Sequence, residues 1–300
     1  MSELQQSFLF AAYYFLYYAA LLVLVILFSN LMSWNRGIFI FNNLFAHIVK
    51  LSTKTKGRTN LNSNAALLLY GALLFISYGF IPLVPEQGPQ GPSHLLGQSA
   101  TLETLAISVI SLTVLSNVHN YLSFNEKAIV EGSRKTVRSL LYLCPIILVL
   151  FTCGDGLPQT NLIHWLEQQS GFHWMIRKLP ISFGVTFICA LEFLERLKSK
   201  NEGLHQDNEL LRDFIYYGTV LLWSMIICVL FFGGSDFGDP QGLLKSHLLF
   251  SLKTLCIASA LQFALVSAFK AGIRPFFERG WALVTVFAII GIFLQKGLYK

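Results

Sequence analysis

The residues able to do polar work gather in one stretch, Leu191–Gly218 (LEFLERLKSKNEGLHQDNELLRDFIYYG). Glu192, Glu195, Glu202, Asp207, Glu209 and Asp213 supply six of the chain's 16 acidic residues, interleaved with Arg196, Lys198, Lys200 and Arg212. Paired carboxylates and guanidinium groups can exchange protons, hold ion pairs or dock a charged partner. Elsewhere ionisable groups are scarce. Lys253, followed by Cys256, Ser259 and Gln262, lies inside an apolar segment. There it either forms a buried cation in a polar channel or snorkels to the outer surface. His119, beside Asn117 and Asn120, reads as an interfacial cap rather than a proton relay. Glu103, Glu192 and His247 stand at segment ends, where a side chain is expected to stay wet. No carboxylate falls in the middle of an apolar segment, which argues against a proton path carried by this chain alone.

The surrounding elements are apolar. Of 300 residues, 54% are hydrophobic and 13% charged, with a mean hydropathy of +0.57; soluble domains carry about a quarter charged residues. The composition predicts an all-α, polytopic integral membrane protein forming a single membrane domain over residues 1–300. A bilayer core about 30 Å thick needs about 20 apolar residues per helix. Eight segments qualify, at about 7–29, 64–84, 103–122, 138–153, 179–194, 214–233, 247–269 and 281–297. MSELQQS lacks a basic n-region and a cleavage site, so the first segment is expected to be a retained helix.

Of the 22 Lys and Arg residues, 16 lie in the connections after the first, third, fifth and seventh segments. By the positive-inside rule those connections are cytoplasmic and both termini lie outside. Outer connections such as PLVPEQGPQGPS (Pro82–Ser93) and GGSDFGDPQG (Gly233–Gly242) are turn-rich. Within Gly37–Lys54, Ile38, Phe41, Phe45, Ile48, Val49 and Leu51 recur at helical spacing ahead of Lys50 and Lys54. This pattern predicts an amphipathic helix lying in the inner interface. Trp34, Trp165, Trp174 and Trp281 read as interface-belt residues, and Tyr13–Tyr18 as a packing and lipid face.

Composition and motifs also exclude functions. The five cysteines (Cys144, Cys153, Cys189, Cys228, Cys256) form no CxxC or Cys/His cluster, so no metal site is expected. A net charge of +6 without a basic, aromatic-interleaved patch points to a membrane surface and not to nucleic acid. No phosphate loop, HExxH or GxSxG occurs, and no catalytic residue is assigned.

Several short stretches together resemble a known family, that of NADH dehydrogenase subunit 1, a membrane component of NADH-quinone oxidoreductase (complex I). The membrane subunits of formate hydrogenlyase-type and energy-converting hydrogenases are related to it. FIFNNLFAHIVKL (Phe39–Leu51) occupies the place of the family's inner-surface helix, keeping Phe39, Ala46, Lys50 and Leu51. NEKAIVEGSRKTVRSLLY (Asn125–Tyr142) is similar to the SKYALLGALR stretch at Lys127, Gly132 and Lys135. ALEFLER (Ala190–Arg196) resembles ALAExxR, with Arg196 matching and Glu192 displaced by one. NEG (Asn201–Gly203) and NEL (Asn208–Leu210) look like parts of LPEGESEL, and LFFGG (Leu230–Gly234) like LFLGG. Lys253, Lys270 and Gly280–Trp281 fall at the family's spacing. There are departures: the family's surface-helix Asp is His47, its Glu in the fourth span falls at Cys144 and its Glu before the sixth span at Tyr216, and LKSKNE replaces PFDLPE.

The resemblance implies a divergent membrane-anchoring subunit of a complex I-like assembly in an energy-transducing membrane, such as a bacterial inner membrane. It would dock hydrophilic Fe–S or redox subunits, sit among other membrane subunits and lipid, and contribute to quinone binding and proton coupling. The residues carried over to a quinone or redox-arm interface are His47, Lys50, Lys127, Lys135, Glu192, Arg196, Glu202, Glu209, Lys270 and Trp281. Quinone would lie between subunits, with no cofactor held by this chain alone. The alternative is a small-solute transporter or channel with a polar cavity around Lys253, Ser259 and Gln262.

Overall fold

The computed structural model describes residues 3–32, 61–81, 101–121, 126–153, 162–169, 173–198, 209–234, 243–272 and 279–298. Among them, eight helices of at least 18 residues coincide with the eight apolar segments. They are α1 (Glu3–Met32), α2 (Leu61–Gly79), α3 (Leu102–Tyr121), α4 (Glu126–Cys153), α7 (Pro180–Lys198), α8 (Glu209–Phe231), α9 (Leu243–Lys270) and α10 (Trp281–Leu298). Two short helices, α5 (Leu162–Glu167) and α6 (Met175–Lys178), lie between α4 and α7. The expected amphipathic helix at Gly37–Lys54 lies outside the described residues.

α8 is the axis of the bundle, and its sequence explains why. From Gly218 to Phe231 every residue is buried, because the segment is apolar on all sides and gains by contact all round. Its Thr219 and Ser224 hydroxyls donate to the carbonyls of Ile215 and Val220, one turn back. These hydroxyls thereby meet their hydrogen-bonding need without a partner helix. α1, α2, α7 and α9 surround α8. Side-chain pairs fix the directions. Phe183–Phe231 and Phe193–Trp223 run α7 antiparallel to α8. Tyr216–Gln262 and Lys253–Phe232 do the same for α8 and α9. α4 joins α7 from outside, also antiparallel, and both pack against α10.

α2 crosses α8 at a single close approach. Tyr70 and Tyr78, two turns apart, both reach it: Tyr78 donates to the Gly218 carbonyl at 2.6 Å, and the Tyr70 and Thr219 hydroxyls pair at 3.0 Å. Tyr18 of α1 then donates to the Tyr78 carbonyl at 2.9 Å. Glycine at 218 permits this approach: a Cβ there would meet Leu74 Cδ2, which would have to shift, and would stand 3.2 Å from the Tyr78 hydroxyl. Gly218→Ala is expected to destabilise the fold by about 1–3 kcal/mol through overpacking. An unfolding titration in detergent reads the effect. A shift below about 0.5 kcal/mol, the size of an ordinary surface substitution, would show that Leu74 can rotate away freely.

The outer surfaces are apolar. Phe15, Leu16 and Val23 on α1, Leu68 and Ile76 on α2, Leu252 and Phe263 on α9, and Phe287 and Phe293 on α10 are all exposed. Tyr14 and Tyr18 meanwhile turn inward, so the Tyr13–Tyr18 run divides between a packing face and an outer face, as its spacing predicts. A polypeptide with apolar residues both in its core and over its surface is built for a non-aqueous surrounding. Two segments, Asp213–Phe231 and Lys245–Ala268, are long and apolar enough to cross a bilayer by length and composition alone. The protein is a membrane protein whose described residues form helices and short turns.

Candidate functional site

At the C-terminal end of α7, Glu192, Glu195 and Arg196 share one face through i, i+3 and i+4 spacing. Arg138 of α4 meets them there. Its Nε donates to Glu192 Oε1 at 2.6 Å and its Nη2 to Glu195 Oε2 at 2.9 Å. Arg196 Nη2 donates to the other Glu192 oxygen at 2.6 Å, and its guanidinium lies 5.2 Å from the centre of the Phe193 ring. The Glu192 side chain is fully buried (0% exposed) and that of Arg138 is 16% exposed. The expectation that Glu192 stays wet is therefore corrected: the end of α7 is covered by α4, and a bilayer boundary drawn from sequence says nothing about lateral packing. Two acids and two guanidinium groups form a neutral quartet, which is how a bundle tolerates four charges away from water. With both Glu192 oxygens held by cations, the quartet clamps α4 to α7.

A second polar assembly closes the opposite end of α8. Gly233 and Gly234 take positive φ values of 68° and 54°, and the Gly234 amide donates to the Cys228 carbonyl. This left-handed cap suits glycine. Lys253 Nζ donates to the carbonyls of Phe232 and Gly234 at 2.8 and 2.9 Å and lies 5.3 Å from the Trp174 ring centre. Gln169, itself buried, donates to the Val229 carbonyl and accepts from the Gly233 amide. Trp165 Nε1 donates to the Leu230 carbonyl.

Lys253 is thus buried and does not snorkel. It caps the carbonyl end of the α8 dipole from a neighbouring helix. Trp165, expected in an interface belt, is buried against the same turn because its indole N–H serves one of the orphan carbonyls. His247 is likewise buried rather than wet, lying edge-on to Tyr13 and tilted against Tyr17.

Few of the other sequence-derived site residues have described side chains. His47, Lys50 and Glu202 lie outside the described residues. Lys127 and Lys135 fall on α4, and Glu209 opens α8, with side chains outside the described set. His119 falls on α3, its side chain also undescribed. Lys270 is exposed at the end of α9. Trp281 starts α10, half-buried against the core. Of the expected interface residues whose side chains are described, only Glu192 and Arg196 meet. The three residues proposed for a transport cavity are each engaged separately: Lys253 in the cap, Ser259 with its own Leu255 carbonyl, and Gln262 with Tyr216.

Sequence reasoning missed Arg138 and Glu195 as members of the quartet. The signal for Glu195 was present in the i+3 spacing from Glu192. Nothing in the sequence points Arg138 toward α7 rather than toward solvent. Among the described residues, no group of three or more His, Cys, Asp or Glu residues could hold a metal.

No family model matches the chain. Solved structures do match. One is a chain from the membrane-bound sulfane sulfur reductase, an archaeal respiratory membrane complex, aligned with a TM-score of 0.70 at 15% sequence identity. The alignment covers 98% of this chain and 100% of that one. At this level of identity the likeness is one of fold, and it is complete: this chain has, from end to end, the fold of a chain in a respiratory membrane complex.

Proposed function

We propose that this protein is a membrane-anchoring subunit of a complex I-like respiratory assembly. It crosses the membrane eight times, with both termini outside, and docks hydrophilic redox subunits on its cytoplasmic face. The observation that carries the proposal is the end-to-end likeness to a chain of a respiratory membrane complex. The residue pattern resembling the NADH dehydrogenase subunit 1 family independently points the same way.

The Arg138–Glu192–Arg196–Glu195 quartet stands at the root of the charged connection 199–208. By locking α4 to α7 it fixes the position from which that connection leaves the membrane. The contribution of this chain is accordingly mechanical: it holds an interface in place. Quinone, where it binds, would be held between this chain and its partners. Proton coupling through this chain would have to engage a Glu192 carboxylate that is held by two arginines.

Tagging the chain in its native host and extracting it in mild detergent tests the proposal. Iron–sulfur or hydrogenase-like subunits are expected to co-purify in stoichiometric amounts. Recovery of the chain with lipid alone would refute the anchoring role. Solute flux in proteoliposomes would favour the transporter alternative.

A further inference from the structure

Near its N-terminal end α9 meets α1 through His247 and Ser251, which stand one turn apart on one face. Ser251 Oγ donates to the His247 carbonyl at 2.7 Å, so its lone pairs are left to accept the Tyr17 hydroxyl at 2.8 Å. Tyr17 thereby bridges the two helices, with its hydroxyl 3.2 Å from that same carbonyl. Its ring and that of Tyr13 flank the imidazole, at 5.1 and 5.8 Å between centres. His247 is 5% exposed, and its Nδ1 is buried with no hydrogen-bond partner.

Only a neutral imidazole suits this position. With its proton on Nε2, the ring leaves Nδ1 as an unpaired acceptor. An imidazolium would make Nδ1–H a charged donor with nothing to receive it, which is far more costly. Among the described residues, the surroundings offer no acid to offset such a charge. α1, α7 and α8 pack against α9. From α1 come the phenols of Tyr13 and Tyr17, and from α8 the Cys228 thiol, within electrostatic reach of Tyr17. The adjoining end of α7, PISFGVTF, has no ionisable residue. α9 itself adds two cations, Lys245, which is exposed, and Lys253, which is engaged in the α8 cap.

We infer that the α1–α9 contact is an acid-sensitive latch: Tyr13 and Tyr17 close over a neutral His247, and a proton on the imidazole parts them. A proton added to the closed contact strands a charge away from water, and withdrawal of the two tyrosines admits water to hold it. The closed contact is therefore fully stable above about pH 6.5, the ordinary imidazole value. Well below that value, each pH unit favours the open contact by about ten-fold, because opening takes up one proton. The topology proposed above enters only in placing the latch on the outer side, where it would respond to the acidity of the outer compartment.

Distances between paired spin labels test the latch in the full chain, purified in detergent with whatever subunits accompany it. Leu16 of α1 and Leu252 of α9 are both exposed, so L16C and L252C carry the labels in a C144S/C153S/C256S background. Between about pH 6 and pH 5 the open-to-closed ratio is expected to rise about eight-fold with His247 present. It should stay constant in H247F and H247Q, which take up no proton. Y17F, lacking the bridge to Ser251, should be more open at every pH. A single distance at all pH values in both the parent and Y17F, or a pH dependence retained in H247F and H247Q, overturns the inference. Sealed vesicles test the placement separately. Acid on the outer side alone should open the latch, and opening by inner acid alone would refute the topology while leaving the latch intact.

Discussion

Glu192→Ala is expected to be the most damaging single substitution, lowering stability by about 3–5 kcal/mol. The Glu192 carboxylate is fully buried and accepts from Arg138 and Arg196, each at 2.6 Å. Its removal leaves two guanidinium groups facing each other with only Glu195 to offset them. That uncompensated charge, more than the lost attraction, sets the size of the effect. Unfolding midpoints of wild type, Glu192→Ala, Arg138→Ala and the double variant give the coupling directly. A favourable pair predicts that the double variant loses far less than the sum of the two singles. Additivity to within about 0.5 kcal/mol would mean that the two residues act independently and would remove the clamp. The same variants link structure to the proposed function. Loss of the clamp should release the accompanying subunits before the bundle unfolds, so co-purification falls at a temperature where helical content is intact.

Lys253→Met should lower stability by about 2–4 kcal/mol, the sum of two effects. Methionine keeps the volume of the stem, but the carbonyls of Phe232 and Gly234 lose their shared donor. A buried polar group left without its partner costs about 1–3 kcal/mol, and the cation also offsets the negative end of the α8 dipole. Trp174 offers a local reporter, since its ring faces the ammonium at 5.3 Å. Its fluorescence should shift in Lys253→Met at denaturant concentrations where the protein remains folded. A variant with wild-type stability and an unmoved Trp174 signal would show that the α8 end is closed by Gly233, Gly234 and Gln169 alone. A transport role for Lys253 makes a different forecast, in which the variant folds normally and loses flux.

The helices were legible in the sequence because each is a run of apolar residues with its own local hydrogen bonding. All eight predicted segments coincide with helices. The boundaries were less legible. α4 begins at Glu126, a dozen residues before the apolar run at 138, because a helix continues beyond the apolar part of its sequence. The inner polar centre was legible in part. Glu192 and Arg196 were found from their type and their place at the end of an apolar run. Arg138 was counted only among the charges that set topology, since nothing local distinguishes an arginine that folds back onto a neighbouring helix from one that faces water.

What the sequence determined by itself is the chemistry of the surroundings: an apolar, all-helical chain with its basic residues on alternate connections and no catalytic or metal-binding pattern. These properties are local sums over composition and periodicity. Only the tertiary structure decided which charges meet. It joined Arg138 to Glu192 and Glu195 across 54 and 57 residues of chain, set Lys253 as the cap of another helix, and buried His247 against tyrosines of α1. Each outcome depends on which helix faces which. That is set by close packing around α8, by contacts such as Gly218 against Leu74, and not by the spacing of residues along any one segment.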